Sequence, residues 1–112
     1  MSNLNKYDFV IYGATGFTGK LVVEYAMNKY STNDDISWAI AGRNKVKLED
    51  IQAKLNLPEN IGMIIVNSDD QASIDAMVDQ TKCVLTTVGP YQLYGEKIIK
   101  TCVSSGTDYV DL

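Results

Sequence analysis

A chain of 112 residues, 46% hydrophobic and 21% charged, has the size of one compact domain with a modest core and the composition of a soluble globular protein. Its formal net charge of −4 argues against broad electrostatic binding to nucleic acid or an anionic membrane. With no histidine the commonest general base is missing, no apolar run is long enough to span a bilayer, and Met1–Tyr7 does not read as a signal peptide.

Along the chain, strands and helices are expected to alternate. "YDFVIYG" (Tyr7 to Gly13) is short, β-branched and aromatic and ends in glycine, which predicts a strand. From Phe17 to about Tyr30 the apolar residues Phe17, Leu21 and Tyr25, with Val22 and Ala26 beside them, predict an amphipathic helix buried along that stripe. "ISWAIAG" (Ile36 to Gly42) is a second strand. Val46, Leu48, Ile51 and Leu55 mark a second helix, which Pro58 closes. "IGMIIV" (Ile61 to Val66) is a third strand, and "SDDQASIDAMVDQ" starts acidic and continues as a helix with Ile74, Met77 and Val78 on one face. "CVLTTVG" (Cys83 to Gly89) is a fourth strand. A helix from Gly95 to Ser105 stops at Gly106, and "TDYVDL" (Thr107 to Leu112) begins a fifth strand.

Five strands with four intervening helices imply parallel pairing through right-handed crossovers, with strands apolar on both faces. The expected architecture is α/β: a Rossmann-type doubly wound parallel sheet in the order 3-2-1-4-5. The switch point then lies between the first and fourth strands. Both unusual loops, "GATGFTG" and "TTVGPY", fall at the carboxyl ends of those strands, where such sheets bind ligands.

The spacing Gly13-x-x-Gly16-x-x-Gly19 suits a dinucleotide. Gly13 permits the turn off the strand, Gly16 lets the backbone approach a diphosphate, and Gly19 lets the helix pack on the sheet. The helix N-terminus offers free N–H groups, and Thr15 and Thr18 add hydroxyls. The competing reading is a ligand-free turn that needs φ > 0. At the end of the second strand an NAD site would carry an acid for the ribose 2′-OH, but this chain has Gly42, Arg43 and Asn44 there. Asp34 and Asp35 precede the strand and so lie at its wrong end. Arg43 could grip a 2′-phosphate, which favours NADP over NAD. Ser68 and Asp69 are candidates for the adenine pocket, with Ser68 or Asp70 equally a helix N-cap. Thr87, Val88, Gly89 and Pro90 are placed for the nicotinamide end, with Tyr91 and Tyr94 facing the crevice or simply packed. No metal site is expected. Cys83 and Cys102 are expected reduced and buried, as in a cytoplasmic protein. Tyr25 and Lys29 have the Tyr-x-x-x-Lys spacing of short-chain dehydrogenases but lie on the helix after the glycine loop, the wrong one for that chemistry.

Three stretches in order, "VIYGATGFTGKLVVEY", "WAIAGRNKVKLE" and "TTVGPYQLYGEKIIKTCVSSGTDYVDL", resemble the N-terminal NADP-binding region of saccharopine dehydrogenase-like oxidoreductases. The likeness is closest to the saccharopine dehydrogenase-like branch that includes trans-acting enoyl reductases. It covers Tyr7 to Leu112. The resemblance implies NADP(H) held by Gly13, Thr15, Gly16, Phe17 and Thr18, with Arg43 at the adenosine phosphate and Gly89 and Pro90 beside the nicotinamide. It also implies that residues 1–112 are a domain of a longer chain, cut at the fifth strand, whose second domain receives a small-molecule substrate. Catalytic residues are not identified, and the isolated domain is expected to be inactive. Self-association through an open edge strand is a further expectation. The alternative is a nucleotide-binding or sensing module without catalysis, acting through partners.

Overall fold

The computed structural model describes residues 6–30, 36–67, 69–87 and 95–111. The elements run β1 (Phe9–Tyr12), α1 (Phe17–Tyr30), β2 (Trp38–Gly42), α2 (Lys45–Lys54), β3 (Gly62–Ile65), α3 (Gln71–Asp79), β4 (Cys83–Thr86), α4 (Gly95–Ser105) and β5 (Asp108–Asp111). All pairings are parallel and the strand order is β3-β2-β1-β4-β5, the expected doubly wound order. The strands are shorter than their apolar runs. Tyr7, for instance, is reduced to an isolated bridge with Thr81. Among the described residues no helix is long and apolar enough to cross a membrane.

Right-handed crossovers place α1 and α2 on one face and α3 and α4 on the other. Under α3 and α4, Val10, Tyr12, Ala39, Ala41, Ile64 and Val84 pack against Ile74, Met77, Val78, Ile98 and Cys102. Under α1 and α2, Ile11, Trp38 and Ile40 meet Val23, Ala26, Leu48 and Ile51. Side chains alternate across each strand, so neighbouring residues of β1 and β2 feed opposite cores. Asp70 caps α3 through Ala72 N–H at 3.1 Å, which assigns the cap to Asp70. Helix α4 ends in a Schellman turn: Gly106 adopts φ +72°, with Thr107 N–H on Cys102 O at 2.9 Å.

Two expectations need correction. The Phe17/Leu21/Tyr25 stripe is not the buried face of α1: these side chains are 81%, 52% and 63% exposed. Its packed residues are Gly19, Val23 and Ala26. The helix lies so close to β1 that only small or slim side chains fit between them. A Cβ on Gly19 would run into the Gly13 carbonyl oxygen and lie 2.8 Å from Ala14 Cα. Likewise Val46 is exposed, and Leu48 and Ile51 alone are fully buried on α2.

The second correction concerns β4, which is not covered on both faces. Val84 and Thr86 are buried beneath the α3/α4 layer, while Cys83 and Leu85 are only half-buried on the other side. There an open apolar groove of about 630 Å³ runs beside α1, lined among others by Phe9, Leu21, Val22, Tyr25, Tyr30 and Leu85. Both cysteines are free, but only Cys102 is fully buried. Burial pushes its thiol up to about 11, with the charge of Cys83 as the lesser cause.

Replacing Gly19 with Ala should lower unfolding free energy by about 1–3 kcal/mol, as overpacking against fixed backbone does. That is the opposite of the gain of about 1 kcal/mol that alanine normally brings inside a helix. Urea denaturation reads the sign directly. A second prediction follows from Cys102, whose folded value lies above the ordinary 9.0. Its contribution to stability is fully present below pH 9.0 and is lost as pH rises toward about 11. Denaturation across that window should show falling stability, and Cys102→Ala should flatten the slope.

Candidate functional site

The first candidate residues belong to the turn after β1. Gly13 has φ +86°, a left-handed conformation that glycine adopts without strain. Its N–H and that of Ala14 both donate to Ala41 O, at 3.0 and 3.2 Å, which binds the turn to the end of β2. Gly16 N–H closes the turn on Gly13 O at 3.1 Å, and Gly16 O accepts the first helical bond from Lys20 N–H at 2.9 Å. Gly16 is therefore the N-cap of α1. The N–H groups of Phe17, Thr18 and Gly19 lie in the first turn, where no helical carbonyl precedes them.

Helices α2 and α3 begin differently. Asn44 Oδ1 accepts from Lys47 N–H at 3.1 Å, and Asp70 does the same service for α3. Helix α1 starts on a residue with no side chain, and no hydrogen bond found among the described residues caps its positive end. Gly16 has no need of glycine within the fold. Its φ is not positive, and a Cβ there would meet only Gly13 O, at an ordinary 3.6 Å. The hydrogen-only side chain leaves space in front of three donors that no hydrogen bond found among the described residues engages, which is what a diphosphate requires. The residues present thus fit a dinucleotide.

Across the switch point, Thr87 binds this turn to β4. Its N–H donates to Tyr12 O at 3.0 Å, and its hydroxyl lies 2.9 Å from Gly13 O and 3.1 Å from Tyr12 O. Thr87, expected at the nicotinamide end, holds the glycine turn in place through its N–H and its hydroxyl. Threonine is common in strands and gave no sequence signal for that bond.

At the end of β2, Gly42 lies beneath both neighbours. A Cβ on it would be 3.5 Å from Leu48 Cδ2 and 3.7 Å from Thr15 Cγ2, so the glycine turn and the start of α2 meet here. Arg43 follows, exposed and in none of the ion pairs found among the described residues. Asn44 is committed to its cap. Asp69, after β3, is exposed and its N–H donates to Asn67 Oδ1 at 3.0 Å. Ser68, Val88, Gly89, Pro90, Tyr91 and Tyr94, like Asp34 and Asp35, lie outside the described residues. Lys29 Nζ stands 5.9 Å from the centre of the Tyr25 ring, a surface contact within α1. No cluster of three or more metal-binding side chains occurs among the described residues.

A family model, the saccharopine dehydrogenase NADP binding domain, matches residues 9–112. This chain belongs to that family. Its relatives include the "Lipid droplet localized protein" of Caenorhabditis elegans, 38% identical over 97% of this chain and 26% of that protein. The mouse saccharopine dehydrogenase-like oxidoreductase is 37% identical over 95% of this chain and 27% of its own length. The trans-acting enoyl reductase of Mycobacterium leprae is 38% identical over 96% and 25%. The chain thus spans about a quarter of these relatives. Among solved structures, an NADPH-dependent quinone oxidoreductase from Escherichia coli complexed with NADPH superposes with a TM-score of 0.70 at 18% identity, over 91% of this chain and 35% of that one. A Veillonella parvula short-chain dehydrogenase/reductase in complex with NADP gives 0.69 at 16%, over 94% and 46%. At such identities the likeness is one of fold. The chain is an NADP-binding domain of the saccharopine dehydrogenase-like type, with a five-stranded Rossmann-like sheet.

The free space at Gly16 yields a direct test. Gly16→Ala should unfold at a cost of no more than about 1 kcal/mol, the scale of an N-cap change. It should weaken NADPH binding about tenfold or more, because the methyl group occupies the approach of the diphosphate. Calorimetry on the folded variant decides it: unchanged affinity would mean that no phosphate lies against Gly16.

Proposed function

We propose that this domain holds NADP(H) across the β1/β4 switch point for hydride transfer to a small-molecule substrate bound by another part of a longer polypeptide. In this reading Gly13, Thr15, Gly16, Phe17 and Thr18 cradle the diphosphate. Gly42, Arg43 and Asn44 border the adenosine ribose, Ser68 and Asp69 the adenine, and Thr87, Val88, Gly89 and Pro90 the nicotinamide ribose. The observation that supports the reading is the start of α1 behind Gly16, uncapped among the described residues, in a glycine turn that Thr87 fixes from across the switch point. When bound, the cofactor supplies the hydride chemistry, and the domain supplies position and electrostatics. The relatives' greater length supports assigning substrate binding elsewhere. Two unpaired thiols suit a reducing, cytoplasmic setting.

Titration calorimetry with NADPH and NADH should show binding of both, with NADPH the tighter. Arg43→Ala should cost NADPH about 1–3 kcal/mol through loss of a charge-assisted contact, and should leave NADH nearly unchanged. Failure of well-folded protein to bind either nucleotide would end the cofactor reading. An equal loss for both would remove Arg43 from the 2′-phosphate.

A further inference from the structure

We infer that Thr87 is a positioning residue for the diphosphate: its hydroxyl pins the peptide plane between Gly13 and Ala14, and so acts on the cofactor through the glycine turn and not by contact at the nicotinamide. This deepens the proposed function and rests on its placement of the diphosphate at Gly16.

The pinned plane has little support of its own. Gly13 has φ +86° and no side chain, so sterics do not stop the peptide that follows it from rotating. Its two polar edges are held instead by the elements on either side of β1. The Ala14 N–H donates to Ala41 O in β2 at 3.2 Å. The Gly13 carbonyl oxygen, at the other edge of the plane, lies 2.9 Å from Thr87 Oγ1, just past the end of β4. Without that hydroxyl the plane is fastened to a neighbouring strand on the β2 side alone.

The direction of the bond is fixed by its partners. Tyr12 O, at 3.1 Å, and Gly13 O are both carbonyl oxygens, so toward them the hydroxyl can only donate. Tyr12 O already accepts the Thr87 N–H at 3.0 Å, and the shorter hydroxyl distance is the one to Gly13 O. Because the hydroxyl has one proton, donating it to the cofactor would mean releasing these carbonyls.

Gly13 O is also where the other parts of the cradle meet. It accepts the Gly16 N–H at 3.1 Å, the bond that closes the turn, and with Thr87 both of its lone pairs are used. A Cβ on Gly19 would run into the same oxygen, so the first turn of α1 rests against it. Rotation of the Gly13–Ala14 plane therefore takes the acceptor from Gly16 N–H and shifts the support of the helix start, and the donors at Phe17 and Thr18 move with it. A hydroxyl on the far side of the switch point thus sets how well the diphosphate cradle is organised before the ligand arrives.

The test uses ligands that separate the two halves of the cofactor. Thr87→Val, which keeps the shape and removes the hydroxyl, is titrated with NADPH, NADH and 2′-phospho-ADP-ribose, which has the diphosphate but no nicotinamide. Affinity should fall about fivefold or more, and by the same factor for all three. Thr87→Ala should show the same pattern and Thr87→Ser should restore binding. The control is Thr81→Val at the other end of β4, where the hydroxyl donates to Cys83 O at 2.9 Å. It should lower the melting temperature and leave affinity unchanged. In the unliganded Thr87→Val protein, the Ala14 and Gly16 amide protons should exchange with solvent faster than in the wild type. A loss for NADPH and NADH that vanishes for 2′-phospho-ADP-ribose would place the hydroxyl on the nicotinamide half and overturn the inference, leaving the proposed function standing. Unchanged affinity in folded Thr87→Val and Thr87→Ala, or an equal loss in Thr81→Val, would do the same. A wild type that binds none of the three ligands overturns both.

Discussion

The close approach of α1 to the end of β1 governs the rest of this domain. Gly19 abuts the Gly13 carbonyl and Ala14, and any side chain there would push the helix away from the sheet. Because the helix cannot stand off, its first turn begins directly above the carboxyl ends of the strands, with three N–H groups that no hydrogen bond found among the described residues engages. The turn is in turn fixed from both sides, by Ala41 O on β2 and by Thr87 on β4. A dinucleotide cradle needs donors that do not move when the ligand arrives, since ordering them at binding would cost affinity. Here packing and backbone bonds hold the donors in place beforehand.

The same geometry distributes burial unevenly. β1 and β2 lie at the middle of the covered sheet, and every residue of β2 is buried. β4 is covered by α4 on one face only, which leaves Cys83 and Leu85 half-open beside the exposed flank of α1. A parallel sheet is normally covered on both faces. The switch point is therefore bounded by a tightly packed half and a looser one. Its tightly packed half carries the glycine turn.

The architecture was legible from the residues because each level of the sequence agreed with the others. β-branched runs, glycines at strand ends, Asp70 before α3 and Gly106 after α4 all mark the same alternation, and the glycine turn after β1 pointed to the doubly wound order that places the switch point beside it. The glycine turn was legible for the same reason: three glycines can be assigned three separate steric roles, and the structure bears out those of Gly13 and Gly19. Helix periodicity misled where side-chain size, not hydrophobicity, decided packing. Phe17, Leu21 and Tyr25 make a stripe at four-residue spacing, but Gly19, Val23 and Ala26 are the residues small enough to meet the strand. Thr87 could be placed at the site from its position after β4. That its hydroxyl turns back to the glycine turn depends on a contact 74 residues distant, which no local pattern encodes. Asn44 was read toward the cofactor because it follows Arg43, whereas its side chain caps α2.

Net charge and the local distribution of charge are separate quantities, and the distinction matters for what a protein binds. Fourteen acidic against ten basic residues make the whole chain unfavourable for an extended polyanion. Screening limits each charge to a neighbourhood of about 8 Å at physiological ionic strength. Lys20 near the start of α1 and Arg43, Lys45 and Lys47 at the start of α2 outnumber Glu49 and Asp50 farther along α2, and Asp50 is paired with Lys54. A compact ligand carrying a few phosphates experiences this local excess, while a long nucleic acid would also meet the acidic remainder of the surface. The acidic composition that disfavours polyanions is therefore compatible with a site for a phosphorylated dinucleotide.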